Sequence, residues 1–247
     1  MMGSTKEHWF ELQEQLMIDW IQNYLSDPEA DENTEGWEAA ISLYAGIQEE
    51  MAGRAELEAE YQWHWETSYL KYFEMFLSEI ENTKQILNGV ESSNQAMLKM
   101  VCSHSITVLE SYLGDYIKCL IIKEPEYLNN FIENDDLAKA KYSLRDFHKE
   151  EHGVVGLVLK IFNKTSFHNV KQVVNIFNAM FACKLDMDIS DISKAIDLRH
   201  DLIHRNGKSI NGHEIVLNVN IATEFIKIVE DFARELQSKV TDEINSQ

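Results

Sequence analysis

The sequence predicts an all-α protein, a helical bundle, and three observations carry that expectation. Only two prolines, Pro28 and Pro125, and ten glycines occur in 247 residues, and both residue types are costly in a helix interior. Apolar residues recur at intervals of three and four through most segments, which is the period of a helix face. A hydrophobic content of 45% is enough to fill a sizeable core. The one expected interruption is a short turn or hairpin insert near residues 208–219.

A first helix is expected from about Lys6 to Leu25, with Trp9, Phe10, Leu12, Leu16, Trp20 and Ile21 on a broad apolar face, ended by Ser26-Asp27-Pro28. After an acidic loop (Asp31 to Thr34), a second helix reads from Glu35 to Glu50 and a long third one from about Ala55 to Leu87. The tryptophans of this region are expected in the core, because aromatics at helical spacing usually pack inward. Asn88-Gly89 marks a break, and a strong helix follows from about Ser92 to Lys123, stopped by Glu124-Pro125. Helices are expected at about 126–133, 136–147, 153–162 and 169–183, then the helix bearing Arg199. Asn211-Gly212 before Ile215 to Leu217 reads as the turn or hairpin. A last helix is expected from about Asn220, its candidate N-cap, to Val240, with a frayed end from Thr241 to Gln247. The expected division is an N-terminal helical extension over 1–90 and a helical domain over 91–247.

Cys102, Cys119 and Cys183 form no C-x-x-C pair and sit in apolar contexts, so they read as reduced core residues and not as disulfides or zinc ligands. The N-terminus lacks the basic and apolar regions of a signal peptide, and no run of eighteen apolar residues occurs. A soluble cytoplasmic protein without membrane attachment is expected. The net charge of −20 is at first sight wrong for a nucleic-acid protein, since phosphate binding is driven by lysine and arginine. The charge is unevenly spread: residues 1–100 hold 5 Lys+Arg against 20 Asp+Glu, whereas residues 138–208 hold 12 against 8. The acidic excess therefore belongs to the first part of the chain.

Chemistry concentrates at Arg199-His200-Asp201-Leu202-Ile203-His204, followed by Arg205-Asn206-Gly207-Lys208. Arg199 falls in register with the apolar stripe of Ile192, Ile196 and Ile203, where a charge needs a partner or a task. Asp197, His200, Asp201 and His204 share another face at spacings of three and four. Gly207 supplies the stop, and Arg205 near the end suits the helix dipole. Arginine keeps its positive fork at any working pH and histidine exchanges a proton near neutrality, a combination suited to phosphate chemistry. Two other readings of the same residues stand beside this one. In the first, Arg199 closes an ion pair with Asp197 or with an acid of a neighbouring helix, Glu110 or Asp115, and His204 only caps the helix. In the second, His200 and His204 with Asp197 or Asp201 present three metal ligands on one face. No Walker-type loop and no G-x-S-x-G elbow occurs.

The run Arg199 to Gly207 resembles the R-x4-H motif of the HEPN superfamily, all-helical domains of which many cleave RNA. His200 takes the polar place after the arginine, Leu202-Ile203 the apolar pair, and His204 the motif histidine. The likeness extends loosely to Leu109-Glu110-Ser111-Tyr112-Leu113 and to the closing helix, and so to roughly residues 92–240; residues 1–90 lie outside it. The resemblance implies a homodimer whose paired motif helices form one cleft, and metal-independent cleavage of single-stranded RNA to 2′,3′-cyclic phosphate ends, with no cofactor. Arg199 and His204 would be the catalytic pair, with His200 and Asp201 supporting them. Arg205, Asn206 and Lys208 stand beside the motif as candidate RNA-binding residues, and equally as helix-end capping. A toxin or antiviral defence role, with an antitoxin or regulatory protein as a further partner, is implied by resemblance alone. No tyrosine follows His204 as in members controlled by nucleotidylation. The other class of function left open is a non-catalytic helical module that docks a partner protein through the acidic, tryptophan-rich N-terminal region.

Overall fold

The computed structural model describes residues 3–246. Among these the chain forms ten α-helices and no β-strand: α1 Gly3–Leu25, α2 Trp37–Glu66, α3 Tyr69–Asn88, α4 Gln95–Lys123, α5 Pro125–Asn134, α6 Leu144–Lys149, α7 Gly153–Phe162, α8 Val170–Met180, α9 Ser190–His204 and α10 Val219–Ser246. None of these helices is long and apolar enough to cross a membrane. The chain divides into two compact units between Glu60 and Tyr61, inside α2. The sequence places that division near residue 90. It falls earlier because Tyr72, Phe76, Ile80 and Leu87 bury one stripe of α3 in the same core as α4.

The first unit is a helical hairpin of α1 and the start of α2. Its core is small: Ile21, Ala30, Trp37 and Ala40, with Met17, Ile18, Trp20, Leu25 and Ile41 packed around them. The acidic loop closes on itself, with Asp31 accepting from the Asn33 amide at 2.9 Å and Thr34 Oγ1 accepting from the Asp31 amide at 3.0 Å. Gly36 holds φ at 92°, a left-handed value open to glycine without strain.

In the second unit α4 is the central helix. Leu98, Val101, Cys102, Ile106, Leu109, Leu113, Ile117 and Leu120 are all buried, so the helix is apolar around most of its circumference, as a fully enclosed helix is. Helices α3, α5, α7, α9 and α10 pack directly on it. Its two buried tyrosines are bonded: the Tyr112 hydroxyl donates to Gln237 Oε1 at 2.9 Å, and Gln237 Nε2 donates to the Tyr116 hydroxyl at 3.3 Å. Lys84 and Glu230, 2.6 Å apart, tie α3 to α10.

Several expectations are corrected by tertiary structure. The break expected near residues 50–55 is absent, since Gly53 has open space about it and only the intrinsic glycine cost of roughly 1 kcal/mol opposes the helix there. Helix α2 instead stops at Thr67-Ser68, where the Thr67 carbonyl accepts from Lys123 Nζ at 2.6 Å and Cys119 Sγ at 3.4 Å. Of the tryptophans expected in the core, Trp37 is buried and Trp20 partly so, whereas Trp9, Trp63 and Trp65 are 50–55% exposed. Between the last two, His64 is the buried residue, its Nδ1 2.7 Å from the Tyr72 hydroxyl.

The helix expected over 136–147 is a 3-10 turn, Asp136–Lys139, and then the separate α6. A capping box between Ser143 and Asp146 starts that second helix. Asn218, not Asn220, caps α10, its Oδ1 accepting from the Ile221 amide at 2.9 Å. Residues 241–246 are helical and not frayed, with Ile244 packed on the core; Gln247 lies outside the described residues. The insert is a turn with a single antiparallel bridge, Lys208 to Glu214. All three cysteines are free; Cys183 is only half-buried and follows α8 instead of lying within it.

Candidate functional site

Helix α9 carries the motif, and its buried residues Ile192, Ala195 and Leu202 fix its rotation against the core. Arg199 lies between Ala195 and Leu202 on that stripe and is half-buried. The stripe differs from the sequence reading, because Ile203 is 44% exposed while Ala195 and Leu202 face inward. The apolar surface bearing Arg199 is therefore largely core of the same chain, with Ile203 left at its margin.

Among the described residues Arg199 has no ion pair. Its Nε is buried without a hydrogen-bond partner, and the side chain makes no hydrogen bond or salt bridge among the described residues. The expected pairing with Asp197, Glu110 or Asp115 is thus not formed. Glu110 Oε1 lies 3.0 Å from His168 Nδ1 without forming a hydrogen bond, so that oxygen too is buried and unsatisfied. Ser166 Oγ completes this second cluster at 2.8 Å from the same His168 nitrogen. Buried polar groups are nearly always satisfied, and Arg199 departs from that rule at the motif itself.

His200 and His204 are exposed, one helical turn apart, with ring centroids 4.8 Å apart and planes inclined by 40°. The supporting residue expected next to them, Asp201, is turned to Arg205, with which it forms a close ion pair. Arg205 is accordingly neutralised within its own helix and is a weaker RNA-binding candidate than the sequence implies. Asp201 also accepts through its carbonyl from the Arg205 amide at 3.3 Å and the Gly207 amide at 3.1 Å. The chain then leaves the helix through two left-handed residues, Asn206 at φ 54° and Gly207 at φ 79°. Asparagine and glycine are the residues best suited to that conformation, so Asn206 has a backbone role here that needs no ligand.

Among the described residues no group of three or more His, Cys, Asp or Glu side chains converges as a metal would require. His200 and His204 with Asp197 or Asp201 do not form such a group.

One residue near the motif is absent from the sequence reading. A β-carbon at Gly207 would collide with Lys99 Nζ and lie 2.9 Å from Lys99 Cε, so the lysine head of α4 rests directly on the Gly207 backbone. The turn that follows is held to the same part of α4: Gln95 donates to the Leu217 carbonyl at 2.7 Å and accepts from the Leu217 amide at 2.9 Å. Nothing local in the sequence marks Lys99, which is more than a hundred positions from Gly207. Comparison with protein-family models, curated proteins and solved structures finds no match for this chain.

Proposed function

We propose that this chain is a cytoplasmic, homodimeric endoribonuclease that cleaves single-stranded RNA without a metal, with Arg199 and His204 as its catalytic residues. The observation that carries the reading is Arg199: an uncompensated guanidinium at the edge of the core, on the same helix end as an exposed histidine pair. A counter-charge brought by a ligand would supply what the fold withholds. His204 accepts the proton of a ribose 2′-hydroxyl, the 2′-oxygen bonds to the adjacent phosphorus, and the P–O5′ bond breaks. The departing 5′-oxygen takes a proton from the His204 of a second copy across the dimer, leaving a 2′,3′-cyclic phosphate. Arg199 balances the charge that builds on the phosphorane oxygens. Single strands suit this step because in-line attack requires a backbone free of A-form geometry. His200 positions His204 through their ring contact, and Lys208 borders the site. A toxin or antiviral effector, restrained by an antitoxin or regulatory protein, is the role this chemistry fits.

A second reading rests on the exposure of Trp9, Phe10, Leu12 and Leu16 along α1, a face suited to docking a partner protein. Expression in a bacterial host separates the two. Toxicity of the wild type that disappears with His204→Ala supports the nuclease, whereas equal tolerance of both favours the binding module. Sedimentation at micromolar concentration is expected to give a dimer; a strict monomer contradicts the composite site.

A further inference from the structure

A lysine beside a helix C-terminus ordinarily donates to the last carbonyls or meets a carboxylate. Lys99 does neither. It is half-buried and rests on Gly207, yet it makes no hydrogen bond or ion pair among the described residues. The groups it would be expected to meet are occupied. Asp201 is held by Arg205, the Asp201 carbonyl takes two amides, the Arg205 carbonyl takes the Lys208 amide at 3.1 Å, and the Gly207 carbonyl takes the Ile215 amide at 2.8 Å. An ammonium is thus parked at the end of the motif helix, three residues past His204, with its donors unspent.

We infer that Lys99 is a phosphate-holding residue of the RNA site, gripping the phosphate next to the scissile one; the inference rests on the nuclease reading. Lysine acts on phosphate as a compact point charge with three rotatable donors. Its place is made by Gly207, since any side chain there would push the ammonium away. Lys208, exposed and also without an ion pair among the described residues, continues the cationic track on the other side of the same turn. Arg205 is cancelled by Asp201 and lies outside the track. The strand-binding charge of this end therefore comes from two helices, α4 and α9 with its turn, and not from the motif segment alone.

The test uses the full chain in a His204→Ala background, which binds without turnover, and follows the anisotropy of a labelled single-stranded oligoribonucleotide over a series of KCl concentrations. Lys99→Gln is expected to weaken binding roughly tenfold at low salt and to reduce the slope of log K against log salt by about 0.7, one single-strand phosphate contact. Lys99→Arg restores both, and Lys194→Gln, which removes an exposed lysine paired to Asp191, changes neither. A merely structural role would not move the slope. Unchanged affinity and slope for Lys99→Gln, in a protein whose His204→Ala form binds and whose wild type cleaves, overturns the assignment and leaves the nuclease standing. A wild type that neither binds nor cleaves overturns both.

Discussion

Where α4 faces α10, the buried Tyr112 and Tyr116 hydroxyls are joined through Gln237, which also donates to Thr241 at 3.0 Å. At the end of α9, among the described residues, a guanidinium nitrogen is buried with nothing to bond, two histidines stand in solvent and a lysine rests on a glycine without a counter-ion. The first region is built of neutral polar groups that satisfy one another, the second of cationic and titratable groups that do not. A satisfied internal network fixes one packing arrangement. An unsatisfied buried donor costs about 1–3 kcal/mol, a cost that a ligand bringing the missing acceptor would offset.

That contrast is broken most directly by substitutions that should separate activity from stability. His204→Ala and Arg199→Ala are each expected to lower RNA cleavage by at least roughly a hundredfold, with thermal unfolding within a few degrees of wild type; a cleavage rate that survives either change removes the site. Gln237→Leu should behave in the opposite way. It leaves two buried hydroxyls short of a partner, at an expected cost of about 2 kcal/mol in urea unfolding, with cleavage by the folded protein unchanged. A neutral Gln237→Leu would mean that the network is not what holds α4 to α10.

A smaller effect should appear in alkali. Burial pushes the Cys102 thiol up to about 12 and, together with Asp115, raises Cys119 to about 11; burial also raises the Tyr112 hydroxyl. Each group folds in its neutral form. Its contribution is complete below the unfolded pKa and is lost as pH rises toward the folded one. The urea midpoint is therefore expected to hold up to about pH 8 and to fall above pH 9, in step with the onset of thiol alkylation. Rapid alkylation of Cys102 at pH 7.5 in the folded protein would contradict this burial. The smallest change expected is Arg205→Gln, which removes a surface pair worth about 0–1 kcal/mol and, with Arg205 already neutralised, should alter RNA affinity less than about twofold. A tenfold loss would place Arg205 back in the strand path.

The fold class and the motif helix were legible because both depend on local periodicity. The helical period places α9, and Gly207 marks its end, from side-chain type alone; which side turns inward was read less well, since Ala195 and Leu202 are buried where Ile203 was expected. The errors arose wherever a distant residue decides the outcome. Helix α2 runs through Gly53 and halts at Thr67 because Lys123 and Cys119 take the Thr67 carbonyl. His64 turns inward between two tryptophans because the Tyr72 hydroxyl receives it. Asp201 looks like a partner of the histidines until its pairing with Arg205 is seen. Lys99 was invisible for the same reason, since only the packing of α4 on α9 brings it to Gly207. An arginine left without a partner is likewise a statement about every surrounding element, which no single stretch of sequence contains.

The most direct measurement is to incubate the purified wild type and the Arg199→Ala/His204→Ala double variant with a mixed single-stranded RNA in excess EDTA, and to determine the product ends. The account predicts cleavage by the wild type alone, with 2′,3′-cyclic phosphate ends. Cleavage of equal rate by both proteins, or no cleavage by a correctly folded dimeric wild type, would contradict it.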